Sequence, residues 1–125
     1  MLVVKTHIGK SEIHGLGLFA KEFISKGSLI WELNPKFDLV YTKEEFDLLP
    51  ENAKNSIIFY GHFQKEEGGY VLCSDDARFF NHSETPNCKS QIGKTCAIKD
   101  INVNEEITDN YMEWDELFKL KNIKR

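Results

Sequence analysis

Residues 78–88 read Arg78-Phe79-Phe80-Asn81-His82-Ser83-Glu84-Thr85-Pro86-Asn87-Cys88, or RFFNHSETPNC. Two large apolar rings run directly into amides, an imidazole, a hydroxyl and a proline turn. The rings predict an anchor in a core. The short polar side chains and Pro86 predict a tight irregular loop, because Asn, Ser and Thr bond their own local backbone. A loop that starts at a core boundary must satisfy its polar groups internally or through a ligand. Both readings stand at this point: a well-bonded buried loop, or a polar pocket lined by backbone amides and Asn81.

The chain around this stretch has 125 residues, 41% of them hydrophobic. That suffices for one domain with one core and excludes a disordered chain. The formal charge of −4 argues against direct nucleic-acid binding, which needs a basic face. The three cysteines, Cys73, Cys88 and Cys96, form no CxxC pair, so reduced thiols are expected rather than a disulfide framework. No apolar run has the length of a membrane span, and MLVVKTHIGK lacks a signal-peptide layout. A cytoplasmic protein without membrane contact is the expectation.

Glycines and polar clusters divide the sequence into short pieces. Strands are expected at residues 2–4, 17–20, 28–33, 37–41, 70–73, 95–99 and 106–108. Thr42-Lys43-Glu44-Glu45 has the form of a capping box. It predicts a short helix in which Phe46, Leu48 and Leu49 pack, ending near Pro50. Residues 52–60 fit helix or coil. Trp114, Leu117, Phe118 and Lys121 recur at helical spacing, predicting a C-terminal helix over about 112–121. The expected architecture is one mostly-β domain over 1–125, with a core at about 3–111 and a short helical insert.

Two further pieces could carry chemistry. Gly15-Leu16-Gly17 lets backbone bend and approach a ligand closely; it lacks the third glycine of a dinucleotide fingerprint, and a plain turn explains it equally. Glu105 to Tyr111, EEITDNY, reads as an alternating strand ending in a tyrosine whose hydroxyl faces either a pocket or water. The histidines and cysteines lack the spacing of a metal site, so no metal is expected. Asp75-Asp76 suits either a basic peptide or a solvated turn.

Taken in order, GLG, RFFNHSETPNC and EEITDNY resemble the SET domain, the family of S-adenosylmethionine-dependent protein-lysine methyltransferases. Lys26-Gly27-Ser28-Leu29-Ile30 is similar to the family's KGExI strand entry, with Ser28 in place of the glutamate. The resemblance spans about residues 3–111. It implies a β-clip fold of several small sheets with a knot-like C-terminal crossing, anchored by Phe79-Phe80. It implies S-adenosylmethionine as cofactor and S-adenosylhomocysteine as product. Cofactor contacts would come from Leu16, Gly17, Asn81 and His82, with Arg78 nearby, and Tyr111 matches the family's catalytic tyrosine. The partner implied is a lysine-containing protein, such as a histone or a ribosomal protein. The other reading is a SET-like module that binds the cofactor or a basic peptide without catalysis.

The sequence departs from the family in places. Many SET domains are flanked by zinc-binding cysteine clusters that close the site, and no cysteine follows Tyr111 here. The C-terminal helix is expected to take that part, with Trp114 near the adenine or simply docking the helix. A second subunit of a homodimer could supply the lid instead. Asp109 stands where many relatives carry an aromatic residue that influences methyl number. Tyr60 is a candidate for the substrate channel, or else a core tyrosine.

Overall fold

The computed structural model describes residues 1–111. Strands β1 (Thr6–Lys10) and β2 (Leu16–Ala20) form an antiparallel pair. Strand β3 (Leu29–Glu32) joins β9 (Lys94–Ala97) and β8 (Cys88–Gln91) in a second sheet, with β9 central. Strand β4 (Leu39–Tyr41) joins β6 (Gly69–Leu72) and β5 (His62–Gln64) in a third, with β6 central. The fourth sheet is parallel and two residues long: β7 (Asn81–His82) against β10 (Thr108–Asp109). Helices α1 (Lys43–Asp47) and α2 (Glu51–Tyr60) lie between β4 and β5. The architecture is therefore mostly strands in several small sheets, as the sequence predicts.

The capping box forms as read. The Thr42 hydroxyl accepts from the Glu45 amide at 3.1 Å, and the Glu45 carboxylate accepts from the Thr42 amide at 2.9 Å. This satisfies two otherwise orphaned donors at the start of α1. Phe46 is buried and stacks on Tyr70 at 3.9 Å between ring centres. Leu48, expected to pack, is instead 87% exposed, because α1 stops after Asp47 and leaves it past the buried face. The ambiguous stretch resolves as α2.

Other expectations are corrected. Residues 2–4 form no strand; Leu2 makes only an isolated bridge to Trp31. The first strand is Thr6–Lys10, whose His7 and Gly9 hide any strand alternation from the sequence. The run expected at 106–108 is displaced to Thr108–Asp109, with Glu106 in an isolated bridge to Phe19. Asp75 is a structural cap, accepting from the amides of Ala77 and Leu2 at 3.1 and 2.8 Å.

The main core gathers Leu18, Ala20, Ile24, Ile30, Cys88, Ala97, Ile101 and Ile107. Trp31, Cys73 and Ala77 make a smaller cluster. Phe80 packs against both, so one half of the Phe-Phe pair is the anchor expected of it. The helical insert is seated by Gly61, whose amide donates to Ile57 O at 2.8 Å. A Cβ there would lie 2.4 Å from Val71 O and 2.7 Å from Ile57 O. Val71 O cannot retreat without disturbing the β5–β6 pairing, nor Ile57 O without losing its bond from the Gly61 amide. Gly61→Ala should therefore lower stability by about 1–3 kcal/mol, read as a shift in the urea unfolding midpoint.

Candidate functional site

The loop after His82 and the segment leading to Tyr111 are bound to each other by backbone and amide bonds. The Asn87 side chain donates to Glu106 O at 2.8 Å and accepts from the Thr108 amide at 2.8 Å. The Ser83 amide donates to Asp109 O at 2.9 Å. The Tyr111 amide donates to His82 Nδ1 at 3.1 Å. Nδ1 is thus an acceptor, which places the proton of the neutral ring on Nε2. Local turn chemistry in NHSETPN and the tail of EEITDNY thereby become one crossing.

A second knot of bonds joins this crossing to the GLG segment. Asn81 is 3% exposed. Its amide nitrogen donates to His14 O at 3.0 Å, Leu16 O at 3.1 Å and Glu106 Oε2 at 2.9 Å. Glu106 also accepts from the Ser11 hydroxyl at 2.8 Å. Gly17 packs so closely on this carboxylate that a Cβ would fall 2.4 Å from Glu106 Oε2. Gly15, by contrast, has φ +47° with open space around it, a left-handed turn that glycine accepts without strain.

Two cavities flank the crossing. The larger, of about 220 Å³, is lined by His14, Gly15, Leu16, Phe59, Phe79 and Asn81 among others. The smaller, of about 40 Å³, is lined by Trp31, His62, Cys73, Ser90, Thr95 and Asp109 among others. Tyr60, Arg78, Phe80 and Tyr111 line both and so form the partition. Tyr111 is only 6% exposed. Arg78 donates through Nε and Nη2 to Cys73 O at 3.3 and 2.9 Å, and its guanidinium lies 5.9 Å from the Tyr60 ring centre.

The smaller cavity has a polar wall. Asp109 accepts from the Ser90 hydroxyl and, at 2.8 Å, from the Asn110 amide. Ser90 is also bonded to Thr95 at 2.7 Å. His62 Nε2 and Glu67 Oε1 are 2.6 Å apart and buried, and the other Glu67 oxygen accepts from the Gly93 amide at 2.7 Å. The Cys73 thiol on this wall is pushed up to about 12, mainly by burial and then by the charge of Asp38.

Of the residues singled out from sequence, Leu16, Asn81, Arg78, Tyr60 and Tyr111 thus lie on one or both cavity walls. Gly17 backs Glu106, and His82 holds the Tyr111 backbone. Trp114 and the helix expected over 112–121 lie outside the described residues. Sequence reasoning missed Glu106, Ser90 and His62. For Glu106 the one usable signal was its place beside Ile107, a charge next to a core residue in an alternating run. Ser90 and His62 carried none.

A SET domain family model matches residues 15–112. A Schizosaccharomyces pombe histone-lysine N-methyltransferase, H3 lysine-4 specific, is 32% identical, covering 91% of this chain and 13% of that protein. An Aspergillus oryzae enzyme of the same description is 33% identical over 85% of this chain and 10% of its own length. Among solved structures, a Plasmodium falciparum chain provisionally assigned as a histone methyltransferase superposes with a TM-score of 0.63. It is 26% identical and is covered to 93%, against 86% of this chain. A ctPRC2 chain in an autoinhibited conformation bound to S-adenosylmethionine gives 0.67 at 24% identity, with 97% of this chain and 17% of that one covered; at that identity the likeness shows the fold. The chain belongs to the SET domain family. It spans about a tenth of the length of the curated relatives it matches.

Two outcomes follow from this geometry. Glu106→Ala removes a charge-assisted partner from both Ser11 and Asn81 and should cost about 2–3 kcal/mol, measured by urea unfolding. Burial also raises the Cys88 thiol, helped by the charge of Asp109. At pH 8 the folded protein should keep Cys73 and Cys88 protonated and unreactive toward Ellman's reagent, since the thiolate is the nucleophile. Unfolding in guanidinium should release all three thiols; rapid labelling of Cys73 or Cys88 in the folded state would contradict this.

Proposed function

We propose that the chain is an S-adenosylmethionine-dependent protein-lysine N-methyltransferase. The observation that carries the reading is the partition: Tyr111, buried, lines both a large cavity beside the GLG turn and a small one behind it. Such a wall allows a methyl donor on one side and an acceptor amine on the other. The larger cavity suits the cofactor chemically. Its backbone carbonyls suit an ammonium, Arg78 suits a carboxylate, and the rings of Phe59 and Phe79 offer apolar faces to a base. Leu16, Gly17, Asn81 and His82 would shape that site, and Trp114 would cover it.

When bound, S-adenosylmethionine supplies a methyl group already activated on a sulfonium. The protein's part is then alignment and protonation state. A lysine amine has an ordinary pKa of about 10.4 and must lose a proton to solvent before its lone pair is available. Tyr60 and Phe80 narrow the passage, and desolvation there favours the neutral amine. The amine nitrogen forms its new bond to the methyl carbon as the carbon–sulfur bond breaks, its electron pair remaining on sulfur. Alignment of the three atoms carries most of the rate gain. The Tyr111 hydroxyl oxygen acts as a polar ligand for the positive methyl group rather than as a base. The Tyr111 amide bond to His82 holds that residue in register.

Histone lysines are the first substrates to try, since the curated relatives are named for them. The full chain and Tyr111→Phe should be incubated with methyl-labelled S-adenosylmethionine, mixed core histones and a cell lysate. The expected result is labelled protein with the wild type and at least about a 100-fold loss in the variant. The variant's cofactor affinity, by calorimetry, should stay within a few-fold. Full activity in a folded Tyr111→Phe protein would remove the assignment. Cofactor binding without any label would favour a non-catalytic binding module.

A further inference from the structure

More acceptors gather on the Asn81 amide than it has hydrogens to give. A side-chain amide nitrogen carries two hydrogens, yet His14 O, Leu16 O and Glu106 Oε2 all lie within 3.1 Å of it. The Ser11 hydroxyl adds a single hydrogen, shared between the two Glu106 oxygens at 2.8 and 3.0 Å. Every donor in this cluster is neutral. Among the described residues the ion pairs are Met1 with Asp38, Lys43 with Asp47 and His62 with Glu67, and none takes in Glu106. A partly buried carboxylate with surplus acceptor oxygens around it is a setting that a cation stabilises.

That setting backs the larger cavity. His14, Leu16 and Asn81 line it, and Glu106 stands one hydrogen bond behind them. No carboxylate is among the described residues lining the cavity itself, whereas Arg78 is. We infer that Glu106 is the charge-matching residue of the cofactor site: acting through Asn81 and the His14 and Leu16 carbonyls, it makes the larger cavity prefer a sulfonium cofactor to the neutral thioether product. This rests on the methyltransferase reading above. S-adenosylmethionine carries an ammonium, a sulfonium and a carboxylate. With the carboxylate matched by Arg78, two positive charges are left for the side of the cavity that Glu106 backs.

The consequence lies in turnover. When the methyl group leaves, the electron pair of the broken carbon–sulfur bond stays on sulfur and the positive charge departs with the methylated amine. The product is then a neutral thioether, and its attraction to Glu106 falls to that of the ammonium alone. The cavity thereby releases product in favour of fresh cofactor. Glu106 also has a structural part, since it holds Ser11 and packs on Gly17. The two parts separate experimentally. Loss of structure weakens cofactor and product alike, whereas loss of charge changes the ratio between them. Glu106→Gln removes the charge and keeps the shape: its oxygen still accepts from Asn81, and its amide donates to the Ser11 hydroxyl oxygen.

The full chain and Glu106→Gln are titrated by calorimetry with S-adenosylmethionine and with S-adenosylhomocysteine. The wild type should bind the sulfonium compound at least about fivefold more tightly than the thioether, and the variant should bring the two within about twofold of each other. On the wild type alone, the preference should narrow as sodium chloride rises from about 0.05 to 0.5 M, because Glu106 is only partly buried and salt screens its charge. Equal binding of the two compounds by the wild type overturns the inference and leaves the cofactor reading standing. A preference indifferent to salt, or one that survives in Glu106→Gln, also overturns it. Binding of neither compound removes the cofactor reading and the inference together. A salt-sensitive preference in a protein that labels no histone or lysate protein would leave the role of Glu106 standing and remove the methyltransferase reading.

Discussion

The partly buried carboxylate of Glu106 is the point on which the arrangement turns. It accepts from Ser11 after β1, from Asn81 on β7, and lies against the bare α-carbon of Gly17 on β2. Three distant segments are thereby held to one charged group in a setting where hydrogen bonds to charge are strong and unpaired charge is costly. Asn81 extends the tie to the carbonyls of His14 and Leu16. The GLG turn is therefore fixed from behind, and its outer side is left to face the larger cavity. Glycine at 17 answers to this packing, whereas glycine at 15 answers to backbone conformation.

The crossing built on that tie explains how so small a chain can keep a tyrosine between two cavities. Its parallel sheet is only two residues long on each strand, too short to hold anything alone. The Asn87 side-chain bonds to Glu106 O and the Thr108 amide, at the start of the opposing segment, supply what the sheet lacks. Phe80 ties the same loop into both apolar clusters. Polar satisfaction and apolar anchoring thus alternate along RFFNHSETPNC. That resolves the oddity of its composition: the rings hold the loop to the core, and the amides hold it to the other segment.

The interior behind the partition is unusually polar for a core of this size. Asp109 with Ser90 and Thr95, and His62 with Glu67, place two buried ionisable groups or pairs around one small cavity. Each is satisfied by a hydroxyl, a ring nitrogen or a backbone amide, as buried polar groups must be. Local order alone needs none of them, which is why the chemistry of the site draws attention to this wall.

Much of the fold could be read from residues close together in the chain. The Thr42–Glu45 cap and the strands around Leu18, Ile30 and Val71 all follow from rules that act over a few residues. The order of GLG, NHSETPN and EEITDNY identified the family before any geometry. What failed were elements whose partners lie far away. Strand β1 carries His7 and Gly9 and is a strand because β2 pairs with it. Leu48 looked like a packing residue and faces water because α1 ends before reaching it. Chain-local chemistry, then, determined the motifs, the caps and the class of fold. Only tertiary structure decided that Glu106 joins three segments, that His82 holds Tyr111, and that Asp109 closes a cavity. These depend on contacts between residues remote in sequence, whose loop-closure cost is met by the whole fold and leaves no local pattern.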